Sequence, residues 1–207
     1  MNNGGIFGIY LAAGKSSRMG FDKLLLPLGS MPLGSLALHT ALMSQLDRIL
    51  VVTKEEDSLD WIDPSLLVSP LCEKWCSIPC ATASQGQAYS LRCGLQEAQR
   101  GEAKAVMILL ADQPFVSCEM INELIFHYKK SLRENKQCDY VAASYQEILR
   151  PPILFSNQLF PVLLKMQGDK GARQLLRKGA AFEGITIEYE DAREFHDVDT
   201  EEEYFSF

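Results

Sequence analysis

Apolar residues along the chain fall into short dense runs separated by stretches of helical spacing. Ile6 to Ala13 is apolar and partly β-branched, and it stops at Gly14. Such a run predicts a strand buried on both faces. Arg48 to Thr53, Lys104 to Ala111, Tyr140 to Ser144 and Ile185 to Tyr189 predict further strands, and Leu66 to Ser69 is a candidate for another. Helical spacing covers Ser35 to Leu46, with Ser35 as N-cap, Ala88 to Arg100, closed by Gly101, and Ser117 to Arg133. Pro151 and Pro152 precede a short apolar segment, Ile153 to Phe155. Beyond it, Asn157 is expected to cap a helix to Lys165, and Asp169 another to Lys178. Thr200 and the glutamates after it read as a final helix start. Residues 70–87, with Pro70, Pro79 and Gly86, read as a long irregular loop. Strands alternating with helices predict an α/β fold: a mostly parallel sheet with helices on both faces. Ligands on such sheets bind beyond the carboxyl ends of the strands. Gly14 and Asp112 each stand at such an end.

At 207 residues the chain suits a single domain, 1–207, and can bury a substantial core. No apolar run is long enough to span a bilayer. The N-terminus lacks a basic segment before its first apolar stretch, so no cleaved signal is expected. These features point to a cytoplasmic protein with no membrane partner. The net charge of −7 argues against a nucleic-acid partner, which needs a basic surface. It leaves room for a small anionic ligand, because Lys15, Arg18 and Lys23 form a local basic cluster. Three of the six cysteines, Cys72, Cys76 and Cys80, are spaced four apart. Zinc sites use closer Cys pairs with a matching second pair. That pattern is absent, and Pro79 opposes a helix through the three. Plain thiols in a reducing compartment are expected.

The first strand runs into "GIYLAAGKSSRMGFDK", Gly8 to Lys23. Gly-Lys-Ser suggests a P-loop, which needs two glycines separated by four residues. Gly8 and Gly14 are separated by five, and those five are strand residues. No G-x-G-x-x-G fingerprint occurs there either. The basic residues lie after Gly14, so the loop itself would wrap phosphates. Backbone N–H groups of Gly14, Lys15, Ser16 and Ser17 would form an anion nest, with Arg18 and Lys23 supplying charge. The plainer alternative is a strand followed by a solvated basic turn.

The extended string "LAAGKSSRMGFDKLLLP" resembles the N-terminal signature of the nucleotidyltransferases with a Rossmann-like fold. Its continuation "KLLLPLG" resembles the MobA-like branch, and within it the molybdenum cofactor cytidylyltransferases that serve purine catabolism beside bacterial xanthine dehydrogenase. The resemblance implies a three-layer Rossmann-like nucleotidyltransferase fold. It implies nucleotide contacts from Leu11, Ala12, Ala13, Gly14, Lys15, Ser16, Ser17, Arg18 and Lys23. Ala13 stands where the guanylyl enzymes of the branch usually carry glycine, which favours cytosine over guanine.

Other motifs extend the resemblance over nearly the whole chain. "ILLADQPFVS" is similar to the family's "L-x-x-D-x-P-F", whose Asp holds the metal. An Asp at a strand tip suits Mg²⁺, which takes one or two carboxylates plus phosphate oxygens and waters. The alternative for Asp112 is a turn or cap residue. In "HDVDTEEEY", Asp197 and Asp199 are two apart and would face one side of an extended segment. They resemble the family's closing acids that support the metal; a capping box around Thr200 is the other reading, and the two are compatible. "SQGQAYSLRCGL" resembles a segment near the nucleotide base, which selects Gly86 and Ser90; the alternative is a plain helix N-terminus. "LRPPILF" and "GDKGAR" resemble acceptor-side segments, which select Pro152, Lys170 and Arg173, although Asp169 as an N-cap explains part of the second.

The resemblance implies Mg²⁺-dependent transfer of CMP from CTP to the phosphate of molybdopterin, with release of pyrophosphate. CTP and Mo-molybdopterin would be substrates, and a molybdenum hydroxylase apoenzyme or its chaperone a partner. Arg18, Lys23 and Asp112 would carry catalysis, with metal ligands drawn from Asp112, Asp197 and Asp199. Rival readings are a MobA-type guanylyltransferase, a sugar- or polyol-phosphate nucleotidyltransferase, and a non-catalytic cofactor-binding chaperone.

Overall fold

The computed structural model describes residues 5–14, 22–169, 171–176 and 182–205. The first strand, β1 (Ile6–Leu11), is buried along its whole length. A short hairpin of β2 (Pro27–Leu28) and β3 (Met31–Pro32) leads into α1 (Leu33–Met43), followed by β4 (Arg48–Lys54) and β5 (Trp75–Cys80). Then come α2 (Gln87–Arg100), β6 (Ala105–Leu110), α3 (Cys118–Arg133), β7 (Tyr140–Tyr145) and β8 (Ile148–Ser156). The chain closes with α4 (Phe160–Leu163), β9 (Gly184–Glu188) and α5 (Glu201–Phe205).

Seven strands form one sheet in the order β5-β4-β1-β6-β8-β7-β9. All run the same way except β8, which pairs antiparallel with both β6 and β7. From β1 the chain moves outward through β4 to β5, then crosses back to β6 on the other flank of β1. This reversal is a topological switch point, and it opens a crevice above the tips of β1 and β6.

Side chains alternate across β1, as a period-two strand requires. Ile6, Tyr10 and Ala12 join a core with Leu33 and Leu38 of α1 and Leu124 and Ile125 of α3. Phe7, Ile9 and Leu11 join the opposite core, with Leu91 and Leu95 of α2 and Leu163 of α4. The result is the three-layer α/β arrangement that the sequence predicts. Gly94 lets α2 lie close to the sheet, because a Cβ there would sit 2.6 Å from Cγ2 of Ile9.

Several local expectations are corrected. The stretch 70–87 contains β5, an edge strand that pairs parallel with β4. Leu66 lies in a 3-10 turn, Pro64–Leu67, capped by Asp63, whose Oδ1 accepts from Ser65 N at 2.9 Å. Ser35 does not cap α1, which starts two residues earlier behind Pro32. Its hydroxyl instead donates to Trp61 O and accepts from Asp63 N. β8 runs from Ile148 to Ser156, so it starts well before 153 and ends one residue after 155. The segment after Asn157 splits into a 3-10 turn and the four-residue α4, and the Asp169 segment forms a 3-10 helix over Ala172–Leu176. Cys80 is not a plain thiol: it is disulfide-bonded to Cys93, which joins β5 to α2. Cys72 and Cys76 are free thiols.

Candidate active site

Lys23 stands just beyond the β1 tip, at the start of a 3-10 turn over Lys23–Leu25. Asp22 caps that turn by accepting from Leu24 N at 3.1 Å. The cap fixes the backbone while the Lys23 side chain turns inward, leaving the residue 7% exposed. Its Nζ donates to Asp112 Oδ2 at 2.9 Å and to Asp199 Oδ1 at 2.8 Å. Burial works against the ammonium charge, but the Asp112 and Asp199 carboxylates outweigh it and hold the pKa above the ordinary lysine value. Lys23 is therefore fully charged at neutral pH.

Asp112 follows β6, where Ala111 N still donates to Leu11 O and keeps the two strand tips in register. The C-terminal segment reaches the same place through Val198 N, which donates to Asp112 O at 2.9 Å. Glu203 then accepts from Asp199 N and Thr200 N, while its own N–H donates to Thr200 Oγ1. This reciprocal cap occupies backbone groups and the Thr200 hydroxyl, and it leaves the Asp199 carboxylate directed at Lys23. The capping reading of this segment holds.

Asp197 faces elsewhere. Its Oδ1 accepts from Gln113 Nε2 at 2.8 Å. Burial, and then the negative charge of Asp112, push its pKa up. Asp197 and Asp199 thus share a segment but take different partners.

Two adjoining cavities open beside these groups. One, of about 170 Å³, is lined by Ala13, Gly14, Ala83, Gly86, Ser90 and Asp112. The other, of about 230 Å³, is lined by Gln113, Arg150, Pro151, Arg173, Gln174 and Asp197. Leu11, Gln87, Leu110 and Asp169 border both. The wall between them depends on glycine: Gly86 has φ +128°, and a Cβ there would lie 2.5 Å from the carbonyl carbon of Gly168. Ala88 N donates to Gly168 O at 3.1 Å, so the "GDKGAR" segment is fastened to the start of α2.

Of the residues selected from sequence, Leu11, Ala13, Gly14, Gly86, Ser90 and Asp112 border the first cavity, and Leu11, Arg173 and Asp197 border the second. Ala12 borders a small space beside Lys23 and Asp112. Pro152 is buried in β8, and its neighbour Pro151 faces the second cavity. Lys15, Ser16, Ser17, Arg18 and Lys170 lie outside the described residues. Sequence reasoning did not select Arg150 or Gln113 as site residues. The one signal for Arg150 was a long cation placed immediately before two prolines in an apolar strand. Among the described residues no three His, Cys, Asp or Glu side chains are grouped to hold a metal, and no helix is long and apolar enough to cross a membrane.

Comparison with known proteins agrees with this geometry. The chain is 40% identical over 200 residues to the purine catabolism protein PucB of Bacillus subtilis strain 168, covering 96% of this chain and 94% of that one. Its fold is similar to that of Rv0371c from Mycobacterium tuberculosis H37Rv, with a TM-score of 0.76 at 23% identity over 100% of this chain and 98% of the other. A structure of Rv0371c in complex with manganese aligns with a TM-score of 0.69 at 22% identity, over 98% and 97% of the two chains. Residues 8–183 match the MobA-like NTP transferase domain. The chain therefore belongs to the MobA-like NTP transferase family and is a nucleotidyltransferase.

Proposed function

We propose that the protein transfers CMP from CTP to the terminal phosphate of molybdopterin, giving the cytosine dinucleotide form of the cofactor for a xanthine dehydrogenase-type enzyme. The observation that carries this reading is the Lys23 ammonium held between Asp112 and Asp199 at the switch point of the sheet. The identity to PucB, a protein named for purine catabolism, supports the cofactor assignment. Ala13 on the wall of the first cavity is consistent with cytosine.

In this reading the nucleotide lies along β1 and the start of α2, with its base beside Gly86 and Ser90 and its phosphates at Gly14 and the loop that follows. The acceptor enters the second cavity, which Pro151 of β8 borders and Arg173 supplies with positive charge; Pro152 and Lys170 are assigned to the acceptor from the sequence motifs. An oxygen of the acceptor phosphate attacks the α-phosphorus in line. The bond from that phosphorus to the bridging oxygen of the β-phosphate breaks, and pyrophosphate leaves. A phosphate nucleophile is already ionised, so no general base is needed, and catalysis rests on positioning and charge neutralisation. Lys23 receives the negative charge that builds on the α-phosphate oxygens, and the Asp112 and Asp199 carboxylates keep it oriented beforehand. Arg18 is assigned to the β- and γ-phosphates.

The donor set suits Mg²⁺. Asp112 and Asp199 each place an oxygen within 3 Å of the Lys23 ammonium, so the two carboxylates lie close enough together for one Mg²⁺ to take an oxygen from each along with phosphate oxygens. Asp197, turned to Gln113 and shifted toward its neutral form, is the weaker ligand of the three. A bound Mg²⁺ would neutralise phosphate charge there.

The decisive experiment is pyrophosphate release with CTP, GTP, ATP and UTP, with and without Mo-molybdopterin. Release that needs both CTP and the pterin supports the proposal. Preference for GTP, or turnover with a sugar phosphate in place of the pterin, overturns it.

A further inference from the structure

The strand β8 changes register where it borders the second cavity. Ala142 of β7 is opposite Ile153, but the next residue, Ala143, is opposite Arg150. Pro151 and Pro152 thus have no partner across the ladder. Proline has no N–H to donate, so the interruption strands no backbone donor at these positions. Bulges of this kind bend a strand and re-aim a neighbouring side chain. Here the neighbour is Arg150, which lines the cavity.

Arg150 is only partly exposed, and its Nε is buried with no hydrogen-bond partner. Asp169 and Asp197 border the same cavity, yet among the described residues Arg150 forms no ion pair with either. A guanidinium cannot shed its proton, so Arg150 brings a fixed charge to the cavity wall and keeps a buried N–H without a partner. Arg173 adds a second cation to the wall, and Leu91 and Ile108 give it an apolar floor. A planar fork of N–H donors matches the oxygens of a phosphate better than any neutral group.

We propose that Arg150 binds the phosphomonoester end of the acceptor and so selects acceptors that carry a terminal phosphate. The proposal rests on the nucleotidyl-transfer reading and adds a residue and a selection rule to it. Arg150 would hold the non-attacking phosphate oxygens from the β8 side and aim the attacking one toward Lys23.

The test compares wild type, Arg150→Ala and Arg150→Lys in steady-state pyrophosphate release with a panel of acceptors: Mo-molybdopterin and sugar 1-phosphates. Titration calorimetry with CTP and Mg²⁺ shows whether each variant keeps its nucleotide site. The expected result is a rise of roughly tenfold or more in acceptor KM for Arg150→Ala, partial recovery in Arg150→Lys, and unchanged CTP binding. Equilibrium binding of molybdopterin before and after removal of its phosphate by alkaline phosphatase supplies a second readout. Wild type should lose affinity on dephosphorylation, and Arg150→Ala should lose markedly less. An unchanged acceptor KM, or an equal loss on dephosphorylation in both proteins, overturns the role of Arg150. If wild type uses a sugar phosphate instead of the pterin, the molybdopterin reading falls, and Arg150 is judged by the same KM comparison on that acceptor. If wild type uses no phosphorylated acceptor, both fall.

Discussion

Lys23 and Asp112 are 89 residues apart in sequence, and their side chains meet at 2.9 Å across the tips of two neighbouring strands. The pair works as a unit because Asp199 closes it from a third direction at 2.8 Å. Replacing Lys23 by alanine removes the cation while the strand register that holds the acids remains. Lys23→Ala should therefore lower turnover by roughly 10² to 10³-fold, the usual effect of deleting one oriented donor at a developing negative charge. Far-UV circular dichroism should stay unchanged. Near-normal pyrophosphate release would remove Lys23 from the mechanism.

The same geometry ranks the carboxylates. Asp112 is tied to the β6 tip and to Val198 through its backbone, so its side chain has a fixed origin. Asp199 depends on the short α5 and its Glu203 cap. Asp112→Asn keeps an acceptor for Lys23 but removes a charge. It should raise the Mg²⁺ concentration needed for half-maximal activity, and Asp199→Asn should raise it less. Asp197→Asn, which preserves an acceptor for Gln113, should leave the metal titration near wild type. A larger shift for Asp197→Asn than for Asp112→Asn would reverse the assignment.

Much of this fold could be read before the structure, and the exceptions share a cause. β1, β4 and β6 lie in the sheet interior, where burial on both faces forces continuous apolar runs. α2 and α3 show one apolar face each because they pack on the sheet from one side. β5 was hidden because it is an edge strand, half-exposed and carrying Pro79, and its pairing comes from β4 rather than from its own pattern. β8 was shortened because two prolines interrupt it, and only the register shift against β7 shows how the strand continues through them. At the site, Lys23 and Asp112 were visible as residues at strand ends. The contact of Lys23 with Asp199, 176 positions away, comes from the C-terminal segment docking on Asp112 O, which no local pattern encodes. Arg150 carried a local signal in the two prolines after it, but its place at the cavity comes from the register shift of β8 against β7.

Gly86 provides a test of the wall between the cavities. Its φ of +128° is open to glycine and strained for other residues, and a Cβ would meet the Gly168 backbone at 2.5 Å. Neither side can yield by rotating a side chain. Gly86→Ala should cost about 1–3 kcal/mol from backbone strain, with added cost from displacing Gly168. Urea unfolding would measure the loss. Displacement of Gly168 also moves Asp169, which borders both cavities, so KM values for nucleotide and acceptor should both rise. A variant of unchanged stability with both KM values intact would show that the two segments do not bear on each other.

Trp61 tests the opposite layer, away from the cavities. It is 1% exposed, its ring lies 6.4 Å from that of Tyr10, and its Nε1 donates to Asp57 at 3.1 Å. Its carbonyl accepts from Ser35, and Gly34 leaves the space the ring needs, since a Cβ there would approach it to 2.7 Å. Tyr10 in turn donates to Gly34 O at 2.7 Å. The indole therefore fills the gap between β1 and the first turn of α1. Trp61→Ala should destabilise the protein by about 3–5 kcal/mol, the range for deleting a large buried aromatic side chain. That is a large share of the stability of an ordinary domain, about 5–15 kcal/mol. Trp61→Phe keeps most of the buried area but drops the bond to Asp57, so it should cost less than the alanine change. Because β1 carries Leu11 to the site on its other face, the folded fraction of each variant should keep the wild-type nucleotide KM. A raised KM in Trp61→Phe at full folding would show that packing behind β1 tunes the site in front of it.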